Sequence, residues 1–146
     1  GGYYTYSGRS HSGGYSYVFS SSSSLYIGGY FAVTGGNAGA AINSTARSDG
    51  GEALVRIEDS KFSTGSYIIL TGGAGGRDRF IGGEAVAGNG GSASLRVLHG
   101  HTSFGGPVTI LGGVGGDNYG DVALDNGDNY GTGGFAELEL RNINAQ

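Results

Sequence analysis

The stretch GGEALVRIEDSKFSTGSYIILTGGAGG, Gly50–Gly76, decides how the chain is read. It opens and closes on glycine doublets and holds two apolar runs between them. Moved back by 37 residues, it falls without a gap on Gly13–Gly39, with ten identities in 27 positions. Moved forward by 40, it falls on Gly90–Gly116, again ungapped and again with ten identities. Another 43 residues on, Gly133-Gly134 starts a fourth copy that runs to Gln146. Self-similarity of this kind is the signature of a repeat architecture. The chain therefore reads as a single repeat domain over residues 1–146, with units at 13–39, 50–76, 90–116 and a partial 133–146. Inserts of 10, 13 and 16 residues follow the complete units, at 40–49, 77–89 and 117–132.

Within each unit the phase is that of a strand. Alternate positions read Ser16-Val18-Ser20, Ala53-Val55-Ile57, Ala93-Leu95-Val97 and Ala136-Leu138-Leu140, with mostly polar residues between them. That is period two, one face small or aliphatic. A second run repeats the pattern at Phe31-Val33, Ile68-Leu70 and Val108-Ile110. Each unit then holds two short strands joined by a Ser/Gly-rich corner. Like residues in like phase suggest stacking, with Val18, Val55, Leu95 and Leu138 in one column. The expected fold is all-β, a parallel β-helix (solenoid) of about three and a half coils with Gly-rich loops. The alternative is an antiparallel β-sandwich or prism of hairpins. The Asn-Gly and Asp-Gly hairpin signals are absent from the corners, which favours the solenoid.

Composition narrows the function. Glycine supplies 34 of 146 residues, with one proline, no cysteine and no methionine. The net charge is -4 and only 14% of residues are charged, so a nucleic-acid partner is not expected. No apolar run approaches the ~20 residues of a membrane helix, so no membrane insertion is expected. Without cysteine there is neither a disulfide framework nor a thiolate metal site. There is no signal peptide and no initiating methionine. The chain reads as a processed product or a piece of something longer.

Several stretches bear on chemistry. Gly112–Tyr119 fits the nonapeptide of calcium-binding β-rolls, and its insert adds oxygen donors at Asp117, Asp121, Asp125 and Asp128. The expectation is no cofactor, with calcium the one ion for which the sequence gathers ligands. The same Asp and Asn residues also suit a solvated turn. In the preceding unit Arg77 stands where the Asp should be. The GG-x-GG stretches at Gly72–Gly76 and Gly112–Gly116 lack the G-K-[ST] ending of a phosphate loop. His99-Gly100-His101 could chelate zinc but has no evident third ligand, and reads better as a polar corner. Glu58-Asp59 is the one adjacent acid pair outside the inserts, and its side chains are expected on opposite faces of a strand. Carboxylate catalysis needs acids that converge, so no enzyme activity is expected. Asn43-Ser44-Thr45 is an N-glycosylation acceptor placed in an insert.

The combination GG-x-A-x-L-x-V, a Ser/Gly corner, and I-x-L-T-G-G-x-G-G resembles the Gly-rich repeats of extracellular β-helix proteins. Autotransporter passengers, adhesins and the repeat proteins of flagellar hairs and cell surfaces are of this style. The resemblance covers about Gly13 to Arg141. It implies surface display, adhesion or filament formation, and carries over no catalytic or binding residue.

The ends complete the expectation. The array stops after the first strand of a unit and shows no amphipathic cap, so both ends look cut through the repeat. Three and a half coils would stack to only ~17 Å at ~4.8 Å each. The expected function is an extracellular or cell-surface structural protein that assembles head to tail into a β-solenoid fibre, its partner being itself. Leu138 and Leu140 would line the assembly edge. The alternative is a surface adhesin whose insert Asp117–Thr132 contacts glycan or a receptor, with or without calcium.

Overall fold

A computed structural model of the chain describes residues 11–42, 47–79, 87–116 and 131–145. Among the described residues there is no helix, and every strand pair is parallel. The first complete unit contributes β1 (Ser16–Ser21), β2 (Ser24–Ile27) and β3 (Phe31–Thr34). The second contributes β5 (Ala53–Glu58), β6 (Lys61–Thr64) and β7 (Ile68–Thr71). In the third, one twelve-residue strand, β9 (Ala93–Phe104), replaces the first two, and β10 (Val108–Leu111) follows. The last unit gives β11 (Ala136–Ala145). A two-stranded pairing of β4 (Ala41–Ile42) with β8 (Asp78–Arg79) joins two inserts.

The solenoid expectation is corrected here. The strands form a six-stranded sheet, β1-β5-β9-β6-β2 with β11 also on β9, and a separate three-stranded sheet, β10-β7-β3. The larger sheet curls strongly into a half-barrel, and the whole is not a clear solenoid of three and a half coils. The cause lies at the expected corner, which is not a loop. β9 and β11 run straight through it, so two would-be faces of a coil merge into one bent sheet. The levels are also unequal, since the fourth unit adds a strand to the larger sheet and none to the smaller. The antiparallel alternative fails too, because no described pair is antiparallel.

The bend is made by one residue per unit. Ser22, Asp59, His99 and Asn142 have φ of 51, 46, 53 and 49°. They occupy the same place in the four units. A left-handed residue reverses the alternation of side chains; β9 and β11 continue through it, whereas in the first two units a two-residue break separates β1 from β2 and β5 from β6. Before it, Ala53, Val55 and Ile57 are buried; after it, Ser60, Phe62 and Thr64 are buried. The inward parity thus switches from odd to even, as a one-residue slip requires. Each such residue costs ~1 kcal/mol or more relative to ordinary β geometry.

The core forms where the two sheets face each other. Val55, Ile57, Leu95 and Val97 from the curled sheet, and Ile68 and Leu70 from the smaller one, are fully buried. The columns expected from the repeat fall in register: Val18 lies opposite Val55, Val55 opposite Leu95, and Leu95 opposite Leu138. Phe62 is the largest buried side chain; its ring packs edge-on against Phe31 and Phe104, both at 6.0 Å between centroids.

Glycine doublets occupy the other junction between the sheets. Leading and closing doublets interleave in one hydrogen-bonded column. Gly36 N–H donates to Gly14 O (2.7 Å), Gly51 to Gly36, Gly73 to Gly51, Gly91 to Gly73, Gly113 to Gly91, and Gly134 to Gly113, each of these five at 2.8 Å. The other member of a doublet bonds along the repeat instead, as Gly35 does to Thr71 O and Gly72 to Leu111 O. A second column joins the points where inserts leave and return: Gly76 donates to Ser48 O, Gly88 to Gly76 O, Gly116 to Gly88 O and Gly131 to Gly116 O. At Gly36, Gly51, Gly73, Gly91, Gly113 and Gly134 the neighbouring backbone leaves no room for a Cβ, so glycine is required there by contact and not by φ, whereas Gly14 at the open end of the column faces free space.

Candidate functional site: two sheet edges and a corner groove

The two outer edges of the curled sheet are β1 with β2 on one side and β11 on the other. Among the described residues no strand pairs with the outer side of either. The consequence shows in the aliphatic column. Leu95 and Val97 on β9 are 0% exposed, whereas their neighbours Leu138 and Leu140 on β11 are 50% and 39% exposed. Phe135, just before β11, stands out at 81%, and Tyr15, at the same place in the first unit, at 77%.

The polar face near β11 carries an ion-pair array. Arg96 Nη2 lies 2.9 Å from Glu137 Oε2, and Arg96 Nε lies 3.4 Å from Glu139 Oε2. Arg141 Nε lies 2.5 Å from Glu139 Oε1. Arg56, opposite Arg96 on the ladder, turns away to Glu58 on its own strand. The hydrogen bond from Arg96, helped by one from Ser94 Oγ, holds the Glu137 carboxyl below its ordinary range. Its folded pKa is therefore depressed. Any stabilisation from the pair is present above the ordinary carboxylate pKa and fades as pH falls through the lowered value. Carbon-13 NMR titration should place the Glu137 midpoint lower in the native chain than in an Arg96→Ala variant. Being exposed, the pair should also weaken with salt.

The corner itself forms a groove of about 640 Å³. The left-handed residues Ser22, Asp59, His99 and Asn142 make one wall. Ser24, Lys61, His101 and Asn144 make the other, and Ser23, Ser60 and Gly100 form the floor. Both walls face solvent because the parity switch turns two residues outward around one turned inward. Ser60 is fixed on the floor: its hydroxyl donates to Glu58 O at 2.6 Å and accepts from Ser23 N–H at 3.2 Å. His99 Nδ1 and Asn142 Nδ2 approach to 3.3 Å. The same turn changes the expected geometry of Glu58-Asp59. Alternation would send the two to opposite faces, but the left-handed residue leaves Asp59 exposed beside a partly exposed Glu58.

His99 and His101 thus lie at the expected polar corner, on opposite walls. Among the described residues no group of three or more His, Cys, Asp or Glu is placed to hold a metal ion. Asp117, Asp121, Asp125 and Asp128, the calcium expectation, lie outside the described residues, as does Asn43. In Gly72–Gly76 and Gly112–Gly116, the N–H groups of Gly72, Gly73, Gly75, Gly76, Gly113 and Gly116 are spent on backbone carbonyls. Sequence reasoning missed the groove. Its one advance signal was a polar residue at the same place in every unit, between two apolar runs. No family model matches the chain, and no curated protein or solved structure matches it either.

Proposed function

We propose that the chain is a structural building block of an extracellular or cell surface that associates head to tail with copies of itself into a linear assembly. The observation that carries this is the aliphatic column buried in β9 and half-exposed in β11. A further parallel strand in register would bury it. The opposite edge has the matching outline: β1 and β2 bend at Ser22 as β11 bends at Asn142. Continued in the repeat's own phase, Leu138 would meet Val18 of the next copy, and Phe135 would meet its Tyr15. Covering two half-exposed leucines contributes about 2 kcal/mol in all, and an aromatic pair ~1 kcal/mol more. Strand addition at an open edge supplies main-chain hydrogen bonds. A contact between two different edges that repeats the parallel stacking of the units advances along the stack, and one that does not close on itself propagates. The sequon at Asn43 and the exposed tyrosines agree with a surface location.

Sedimentation velocity and electron microscopy test the reading. The 146-residue chain should associate with rising concentration into linear particles. Leu138→Asp with Leu140→Asp should leave monomers with an unchanged circular dichroism spectrum, and Tyr15→Glu on the other edge should weaken assembly independently. Monomers of the native chain at every concentration, or unaltered assembly of the double variant, would sink the proposal.

A further inference from the structure

The corner groove is built at a conformational cost that the chain had an easy way to avoid. Glycine adopts positive φ freely, and the chain has 34 glycines. Yet none of the four left-handed corner positions is glycine; they carry a hydroxyl, a carboxylate, an imidazole and an amide. Strain retained with a polar side chain at each level suggests that the side chains themselves are used.

The lining says for what. It holds hydroxyls on Ser22 and Ser24, amides on Asn142 and Asn144, imidazoles on His99 and His101, one carboxylate on Asp59 and one ammonium on Lys61. Apart from the two imidazoles no aromatic ring lines it, and no aliphatic residue does, which disfavours a lipid or an apolar peptide. With one formal cation against one formal anion, it lacks the positive field that a nucleic acid or sulfated polymer requires. What remains is a dense mixture of donors and acceptors, the complement of a ligand whose groups both donate and accept.

We infer that the corner groove binds the interior of a linear, uncharged polyhydroxylated chain, a neutral glycan, running across the strands from the Ser22 level to the Asn142 level. Serine and asparagine hydroxyl and amide groups pair with sugar hydroxyls along both walls. Asp59 accepts from hydroxyls at the second level, and His101 with Lys61 forms the facing wall. The site is separate from the insert Asp117–Thr132 and from the outer edges, and it is complete within one copy. It therefore does not depend on assembly.

Affinity electrophoresis through native gels containing graded neutral polysaccharides (a β-glucan, an α-glucan, a mannan and a xylan), with heparin as the anionic comparison, tests it. Asp59→Asn keeps a residue that tolerates positive φ, so its fold should persist. The expected result is retardation by at least one neutral polysaccharide, weakened at least fivefold by Asp59→Asn combined with His101→Ala. Thr109→Ala, on the exposed face of the other sheet, should bind as the native chain does. The imidazole signals of His99 and His101 should shift in NMR spectra on adding an oligosaccharide of the retarding type. No retardation by any neutral polysaccharide, retardation by heparin alone, or retardation unaffected by the double variant would overturn the inference. Loss of assembly in the edge variants with retardation intact would leave it standing, so the two proposals fail separately.

Discussion

Gly91→Ala should fail to fold. Gly91 lies in the middle of the glycine column, donating to Gly73 O and accepting from Gly113 N–H, both at 2.8 Å. A methyl at Gly91 would lie inside the contact radius of the Gly51 carbonyl oxygen, with the Gly50 oxygen also close at 2.7 Å. The obstacle is backbone, hydrogen-bonded on both sides, so it cannot turn aside as a side chain would. Separating the segments would break the bonds to the levels before and after. The cost should exceed the ~1–3 kcal/mol usual for overpacking and take most of a small domain's stability. The control is Gly29→Ala, where a Cβ meets nothing within 4 Å. That change should be neutral or stabilise by ~0.4–1 kcal/mol through the unfolded chain. Thermal and urea melts followed by circular dichroism separate the two. A cooperative melt for Gly91→Ala within a few degrees of native would mean that the column does not hold the sheets together.

Phe62→Ala is expected to cost ~3–5 kcal/mol, the loss for a fully buried aromatic. Phe62 is 1% exposed and touches rings from both sheets, Phe31 across the core and Phe104 one level along. It is the side chain that fills the inside of the bend after the parity switch. Phe62→Leu keeps most of the volume and should cost less than half as much. If urea melts gave the alanine variant near-native stability, the bend would not be held from within, and the left-handed residues alone would have to maintain it.

The contrast between these two sites shows what could be read in advance. The repeat phase placed Val18, Val55, Leu95 and Leu138 opposite one another, because equal spacing in a parallel ladder forces equal residues together. Phe62 could not be placed so easily. The segment Ser20–Ser24 in the first unit looks like a loop, and that reading hid a middle strand in every unit. The stronger signal was in the second and third units, where Phe62-Thr64 and Thr102-Phe104 alternate with polar residues. The bend was illegible for a different reason. Left-handed conformations are usually announced by glycine, and here they fall on Ser, Asp, His and Asn. Without the bend there is no half-barrel and no groove, which is why three and a half separate coils were the natural but incorrect expectation. The pairing of glycine doublets with distant doublets has no local signature at all. Of the candidate sites, Leu138 and Leu140 are half-exposed on the outer strand β11, while the acids of the third insert lie outside the described residues.

The second glycine column has a consequence for how such a chain can change. Gly76 and Gly88 close the ends of the second insert onto each other at 3.2 Å, and Gly116 and Gly131 close the third at 3.0 Å. Asn89 repeats the arrangement with side chains, donating its N–H to Asp49 Oδ1 at 2.7 Å and accepting from Thr132 N–H at 3.0 Å. The second and third inserts thus leave and return through backbone contacts that hold their ends together. Lengthening such a loop costs only the slowly growing entropy of closure, about 0.6 kcal/mol per doubling. The scaffold and its excursions are therefore nearly independent: the one is intolerant of a single methyl, and the other is free to be exchanged, extended or rewritten without the sheets registering the difference.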